Sequence, residues 1–445
     1  MLPLIILAAI MAVVFYVYQL SRHVLLGFFS LLAVELLSFT FGTSQGLLAG
    51  FHLDPMDFIG ICLLLAGCIR TARNMNRLHV SRLLALVYIA LLTVSIVHGL
   101  VTYDLKSVAN ESRSLVPSVT GMLYFLTAPT DAKSMRRYTW LYLSFGIALC
   151  IVAILATVGL NVGSSAWAGG DLQTEQAAEG RALPSGAAAG IATCVFLSLG
   201  LGRSPKQQWL SKLMPTIFLV FAIYLRHRTI WIMLAVAIAV LPFVDGKLFR
   251  RLLPTIAIGF VLLAGFVVYG QALQGGVDVN QFSDSAQNEG TILWRIDSWK
   301  DLVLGEEQTL QSVLIGKSAG SGFHRLDLAT GRSIDVAPHN EYITRYLRTG
   351  VIGAVCVMFF LIRPIKRLRA LGRSDKMAVY PSVASWTISV FMIAVYGVTY
   401  GIDAHSFALV GICNALISSR EPTLTGADRA TSVWSLSMNS GSTIG

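Results

Sequence analysis

Runs of mainly apolar residues, most of them about 15–20 long, recur along the whole chain with short polar gaps between them. A helix needs about 20 such residues to cross a bilayer, and a helix satisfies all its backbone hydrogen bonds internally, as lipid demands. The clearest runs cover 2–20, 24–42, 83–101, 139–160, 185–202, 230–244, 252–270, 343–362 and 379–399. Weaker ones cover 56–70, 115–130, 209–225 and 405–419. The pattern predicts an all-α polytopic membrane protein of about 12–13 transmembrane helices.

The gaps give the chain a direction. Arg70, Arg73, Arg77 and Arg82 share one gap, Lys133, Arg136 and Arg137 the next basic one, and Arg203, Lys206 and Lys212 a third. Lys247, Arg250 and Arg251 follow, then "RPIKRLRALGRSDK" at 363–376. Every second gap is basic, so assigning these gaps to the cytoplasm predicts an outer N-terminus and a cytoplasmic C-terminus. The first run lacks a basic leader and a small-residue cleavage site, so it reads as a retained span. On this map residues 1–270 hold ten spans with short loops, 271–341 form one large outer loop, and 342–419 hold the last spans. The tail 420–445, rich in Ser, Thr and Gly, reads as disordered. Within the large loop, "ILWRIDSWKDLVL" (292–304) has the spacing of an amphipathic interfacial helix. No internal repeat suggests the inverted halves of a secondary transporter.

Composition agrees with this picture. Apolar residues make up 55% of the 445 and charged ones only 13%, where a soluble domain carries about 25% charged. The net charge of +10 sits mostly in the cytoplasmic gaps, so it reports topology and not nucleic-acid binding. All six cysteines fall inside apolar runs without a CxxC, and read as small buried hydrophobes.

Some charges break the topology rule. Arg226 and Arg228, in "YLRHRTIW", join two runs on the outer side, and Arg345 and Arg348 lie in the first turns of the span that begins near 342. A charge at membrane depth costs at least about 2.5–3.5 kcal/mol on insertion scales, so each needs a partner or a function. Arg345 with Glu341 at i, i+4 is a ready ion pair. Taken together with Arg295 of the loop, the arginines form an outer cluster whose planar forks suit phosphate. His339 opens the same helix, and positive neighbours favour the neutral imidazole that a general base requires. Asn340 and Glu341 beside it also read as helix caps. His227, His324 and His405 share the outer face, but "HNEYI" lacks the second histidine of a zinc HExxH motif, and no metal or cofactor is expected. Glu35 inside the second run, with Asp54 and Asp57 after it, reads as capping or pairing, or as a cation site. "LIGKSAGSGF" (314–323) departs from the phosphate-loop pattern and reads as a flexible turn.

Four of these pieces, in order, carry a resemblance: "RHRTIWIMLAVAIAVL", "WRIDSWKDLV", "LIGKSAGSGF" and "PHNEYITRYLRTGVIGAV". Over roughly 215–365 the chain resembles the O-antigen ligase and polysaccharide polymerase superfamily of bacterial inner membranes. That resemblance implies a GT-C-type glycosyltransferase fold with its active face in the periplasm. It implies a glycan donor on undecaprenyl diphosphate, a glycan or lipid-linked acceptor, and chain-length regulator or flippase proteins as possible company. His339 would be the base, Arg228 or Arg226 a diphosphate-binding arginine, and Arg295 the loop arginine. Arg345 and Arg348 follow from position, with Asn340 and Glu341 in support. The family often has serine where this chain has His227. The implied reaction is an inverting transfer to an acceptor hydroxyl, by a polymerase or, alternatively, by a ligase acting on lipid A core. A polysaccharide or lipid transporter is the reading from another class.

Overall fold

The computed structural model describes residues 2–42, 47–48, 51–52, 54–74, 79–164, 181–201, 209–274, 289–305, 308–327, 332–335, 337–372 and 383–420. Most of the outer loop at 161–184, Arg77, the basic residues Arg203 and Lys206, the end of 363–376 and nearly all of the tail lie outside them.

Every apolar run forms a helix. In chain order these are α1 (Leu2–Arg22), α2 (Val24–Phe41), α3 (Pro55–Arg73), α4 (Val80–Thr102), α5 (Leu105–Phe125), α6 (Ala132–Thr157), α7 (Ser185–Leu199), α8 (Leu210–Tyr224), α9 (Arg228–Val244) and α10 (Gly246–Gln274). The amphipathic segment forms α11 (Glu289–Leu304), a short α12 (Leu310–Ile315) follows, and α13 (Glu341–Gly372), α14 (Val383–Tyr396) and α15 (Ala404–Ser418) complete the set. Two small antiparallel hairpins interrupt it: β1 (Leu47–Leu48) with β2 (Phe51–His52), and β3 (His324–Asp327) with β4 (Arg332–Asp335), where His324 lies opposite Asp335.

Among the described residues, α2, α3, α4 and α6 are long and apolar enough to cross a membrane by length and composition, and six more apolar helices are shorter. Exposure tells the same story. The outer helices turn large apolar side chains outward, among them Met11, Val14 and Phe15 on α1 and Val94, Val97 and Val101 on α4. Water would penalise such a face, and lipid accepts it. The protein is therefore an α-helical, membrane-embedded one.

The centre of the bundle is built on small residues. Every residue of α15 and all of Gly186–Leu199 in α7 are buried. The "SGAAAG" start of α7 lets neighbouring helices come close, as small residues do between membrane helices. A Cβ at Gly190 would stand 3.3 Å from the Phe145 ring and 3.4 Å from His405 Nε2.

At one end of the bundle Arg70 ties three helix C-termini together. Its guanidinium donates to Ser21 O (2.7 Å), Thr127 Oγ1 (2.6 Å) and Thr127 O (2.7 Å). Carbonyls at helix C-termini lack intrahelical donors, and a cation is the best partner for them.

Two departures from the sequence pattern shape the other end. Helix α5 starts well before the run at 115, because Asp104 caps it by accepting from Ser107 N (2.9 Å) and a polar first turn-and-a-half follows. Helix α13 is broken at Gly350 (φ 63°, ψ −172°), which separates a short polar piece from the apolar stretch beyond. Only glycine adopts that φ freely, and a Cβ there would overlap the Leu314 carbonyl of α12.

Candidate functional site

The chain before α13 is fixed at both sides of His339. Trp299 of α11 donates its indole N–H to Pro338 O (2.6 Å), and Asn340 Oδ1 accepts the N–H of Ile343 (3.1 Å), which makes Asn340 the helix cap. Between these anchors His339 holds φ at 48°. Among the described residues only two non-glycines have positive φ, His339 and Arg226 (57°). A left-handed conformation costs an L-residue about 1–2 kcal/mol, and strain of this kind concentrates at functional positions. His339 is exposed, with its ring 6.1 Å from that of Tyr400. Arg295 of α11 lies over the same tyrosine, 5.4 Å from its centroid. Arg295, Tyr400 and His339 thus form one layer at the surface.

Below that layer the arginines are paired. Arg345 is 2% exposed, forms an ion pair with Glu341, donates to the Tyr88 hydroxyl (2.8 Å) and lies over the rings of Tyr88 and Phe407. Glu341 also accepts the N–H of Ile402 (3.0 Å), which ties α13 to the α14–α15 turn. Arg348, fully buried, pairs with Glu111 of α5 (2.7 Å) and donates to Ser321 Oγ (2.8 Å) and Gly322 O (2.7 Å), with Phe323 stacked 4.3 Å away.

The glycine-rich segment is no loose turn. Lys317 N donates to Leu347 O (2.6 Å), Ala319 N to Ser95 O (3.1 Å) and Ser95 Oγ to Lys317 O (2.9 Å). It is stitched between α4 and α13 because two of its three positive-φ glycines, Gly316 and Gly320, lie where a side chain would collide with α13 or with α5.

Arg226 and Arg228 stand at the α8–α9 corner. His227 between them is 2% exposed and bonds Leu183 O through Nε2 (2.8 Å). Burial pushes its imidazole down to about 4, so it is held neutral as a structural tie. The buried Nε atoms of Arg228, Arg295 and Arg348 have no hydrogen-bond partner. Buried donors are almost always satisfied, so each such orphan calls for an explanation, an unfilled ligand position among them.

A cavity of about 680 Å³ opens beside His339. His339, Asn340, Glu341 and Arg345 line it with Tyr400, whereas Arg226, Arg228, Arg295 and Arg348 do not. The remaining wall comes from α2, the N-terminal ends of α3, α5, α7 and α15, the end of β4 and the 400–403 turn, and it is mainly acidic: Glu35, Asp54, Glu111, Asp335 and Asp403, with Arg113 beside them. Asp54 caps α3 in a capping box with Asp57, and Asp57 pairs with Arg113 (2.9 Å). Glu35 caps α15 by accepting the N–H of His405 (3.1 Å) and bonds its Nδ1 (2.8 Å). These carboxylates are therefore capping and pairing groups, the first of the alternatives that the sequence left open. Asp403 is different, since its buried Oδ2 has no partner. Burial raises its carboxyl to about 7. Among the described residues no group of three His, Cys, Asp or Glu side chains is arranged to hold a metal ion.

No family model matches the chain, and no curated protein is significantly similar to it.

Of the residues singled out in the sequence, His339, Asn340, Glu341 and Arg345 share the cavity, with Arg345 in the ion pair that its spacing from Glu341 offered, while Arg226, Arg228, Arg295 and Arg348 lie outside its lining. Sequence reasoning missed Glu111, Tyr88, Tyr400 and Asp403. Only Asp403 had a usable signal, an acid just ahead of His405 at the start of an apolar run.

Proposed function

We propose that the protein is a glycosyltransferase that moves a glycan from an undecaprenyl diphosphate carrier to an acceptor hydroxyl at the periplasmic face of a bacterial inner membrane, as a polysaccharide polymerase. The observation that carries this reading is His339, strained and exposed at the rim of a cavity of sugar size, in one layer with Arg295 and Tyr400.

In this reaction the acceptor oxygen attacks the anomeric carbon as the carbon–oxygen bond to the diphosphate breaks. His339 takes the hydroxyl proton, and the leaving diphosphate departs with the bond's electron pair. A single displacement inverts the anomeric centre. The guanidinium of Arg295, over the same Tyr400 ring as His339, supplies charge for the departing diphosphate, with Arg228 as the second arginine that the resemblance implies. Arg345 has a different task here: saturated by Glu341 and Tyr88, it holds the polar start of α13 rigid. The acid-rich wall offers acceptors for sugar hydroxyls.

The test is glycan analysis in cells that carry His339→Ala in place of the native gene, with the membrane level of the protein checked in parallel. Unpolymerised lipid-linked repeats at a normal protein level support the polymerase. Finished polymer stranded on its lipid carrier assigns the ligase reaction instead. A wild-type glycan profile removes His339 from the chemistry and this mechanism with it.

A further inference from the structure

The short helix α12 is inside out for a surface in water. Leu310 and Leu314, four residues apart and so on one face, are 77% and 43% exposed. Ser312, half a turn round, is buried, and its N–H and hydroxyl are spent on Thr309 and Gln308. A surface helix in water does the reverse and turns its leucines inward. Scattered exposed leucines are ordinary on any protein, so what matters is where these two lie.

Helix α4 serves as a ruler. Its exposed apolar side chains run from Leu83 to Val101, about 27 Å at ~1.5 Å per residue and close to the ~30 Å of a bilayer's hydrocarbon core. The chain just after α12 docks inside the far end of that stretch. Ala319 N donates to Ser95 O (3.1 Å), Ser95 Oγ donates to Lys317 O (2.9 Å), and a Cβ at Gly99 would overlap the Ala319 carbonyl. Ser95 and Gly99 lie about 9 Å and about 3 Å from Val101 along the axis, toward the middle of the membrane.

Helix α13 agrees. A Cβ at Gly350 would overlap the Leu314 carbonyl, and one at Gly316 would overlap the Arg348 carbonyl, so the end of α12 rests on the α13 backbone at its kink. Just past the kink the exposed apolar stripe begins: Val351, Ile352, Val355, Met358, Phe359 and Ile362. From Val351 to the exposed Lys366 the helix covers about 22 Å, short of the ~30 Å core, and tilt only widens the gap. Hydrocarbon therefore continues past Gly350, to the level at which α12 lies against α13.

We propose that α12 is a membrane foot: Leu310 and Leu314 extend the lipid-facing surface of α4 and α13 and pack among the acyl chains of the leaflet on the His339 side. The occupant of this apolar face is lipid because the face is continuous with two stripes already turned to lipid. The kink at Gly350 thereby marks the hydrocarbon boundary, and the polar first turns of α13 rise from it into the headgroup layer. Membrane embedding alone supports the foot, and the transfer reaction does not enter, so either can fail without the other.

The test is nitroxide accessibility on the full chain, reconstituted into phosphatidylcholine nanodiscs. Single labels are placed with Leu310→Cys and Leu314→Cys, with Val101→Cys as the lipid reference and Lys300→Cys, on the charged exposed face of α11, as the water reference. All carry Cys68→Ser, since Cys68 is the exposed cysteine and the other five are buried. Power saturation is read with oxygen, which concentrates in hydrocarbon, and with a water-soluble nickel complex. An oxygen-to-nickel ratio at positions 310 and 314 several-fold above that at 300, and close to that at 101, supports the foot. Ratios that match position 300 overturn it, and so does poor access of both reagents, which would put protein and not lipid over the two leucines. Both side chains are exposed, so labelling leaves the packing of the bundle intact, which elution as the wild-type peak checks.

Discussion

Glu341→Gln probes a deeply buried ion pair. The substitution keeps size and one acceptor oxygen but leaves Arg345 charged at 2% side-chain exposure without its carboxylate, while its bond to the Tyr88 hydroxyl persists. Stranding one half of a buried ion pair costs about 3–5 kcal/mol. Arg113 with Asp57 is the internal comparison, since that pair is 33% and 15% exposed and is worth about 0–1 kcal/mol. Domains of moderate size lose about 2–4 °C of melting temperature per kcal/mol. Glu341→Gln is therefore expected to lower the unfolding midpoint in detergent, followed by tryptophan fluorescence, by about 6 °C or more. Arg113→Gln is expected to stay within about 4 °C. The double variant Glu341→Gln/Arg345→Met removes the stranded charge and should recover a good part of the loss. A single variant that melts with wild type, or a double variant that melts below the single one, would show that the pair is not a coupled buried unit.

Three further outcomes follow from the geometry. His339→Gly releases a left-handed residue, so it should raise the unfolding midpoint by about 1–3 °C while glycan transfer is lost; a clear drop in the midpoint would mean that the ring's contacts outweigh the strain. Gly350→Ala should cost about 2–4 kcal/mol, from a positive φ and from overlap with the Leu314 carbonyl, and protection of the α12 amides from hydrogen exchange should fall; unchanged protection would contradict it. Asp403 has a folded pKa raised to about 7 from an unfolded value near 4. Between those values the native state binds the extra proton, so the wild type loses stability as pH rises through the window. Asp403→Asn should therefore gain on wild type between pH 5 and pH 8, read as the difference of their midpoints, and a pH-independent difference would count against the buried carboxyl.

What the sequence made legible depended on range. Helices were readable because their signal is local: an apolar run of spanning length specifies one helix whatever surrounds it, as in α2 and α6. The Glu341–Arg345 pair was readable for the same reason, since i, i+4 neighbours share a helix face. The start of α5 was not, because its first turns are polar and a search for apolar runs passes over them. Arg348 looked like Arg345 in sequence, yet its carboxylate comes from α5 and its hydroxyl from the glycine segment, pairings that no periodicity encodes. The acidic wall was hidden in the same way, being assembled from four helices and the β4 strand, each of which contributes one carboxylate. The glycine segment misled because glycine signals freedom in isolation, whereas here its lack of a side chain lets backbone thread between two helices.

The contact between Glu35 and His405 spans 370 positions of sequence. During synthesis α2 enters the bilayer long before α15 is made, carrying a carboxylate whose cap and partner do not yet exist. Until α15 arrives, the bundle also lacks its most enclosed helix, all of whose residues end up buried. Assembly therefore has a late step in which α15 joins α2, α5 and α13. A chain that stops short of residue 404 has most of its helices but not the His405 N–H and Nδ1 that hold the Glu35 carboxylate, so the charge that α2 carries is left without the contacts that bury it in the finished bundle.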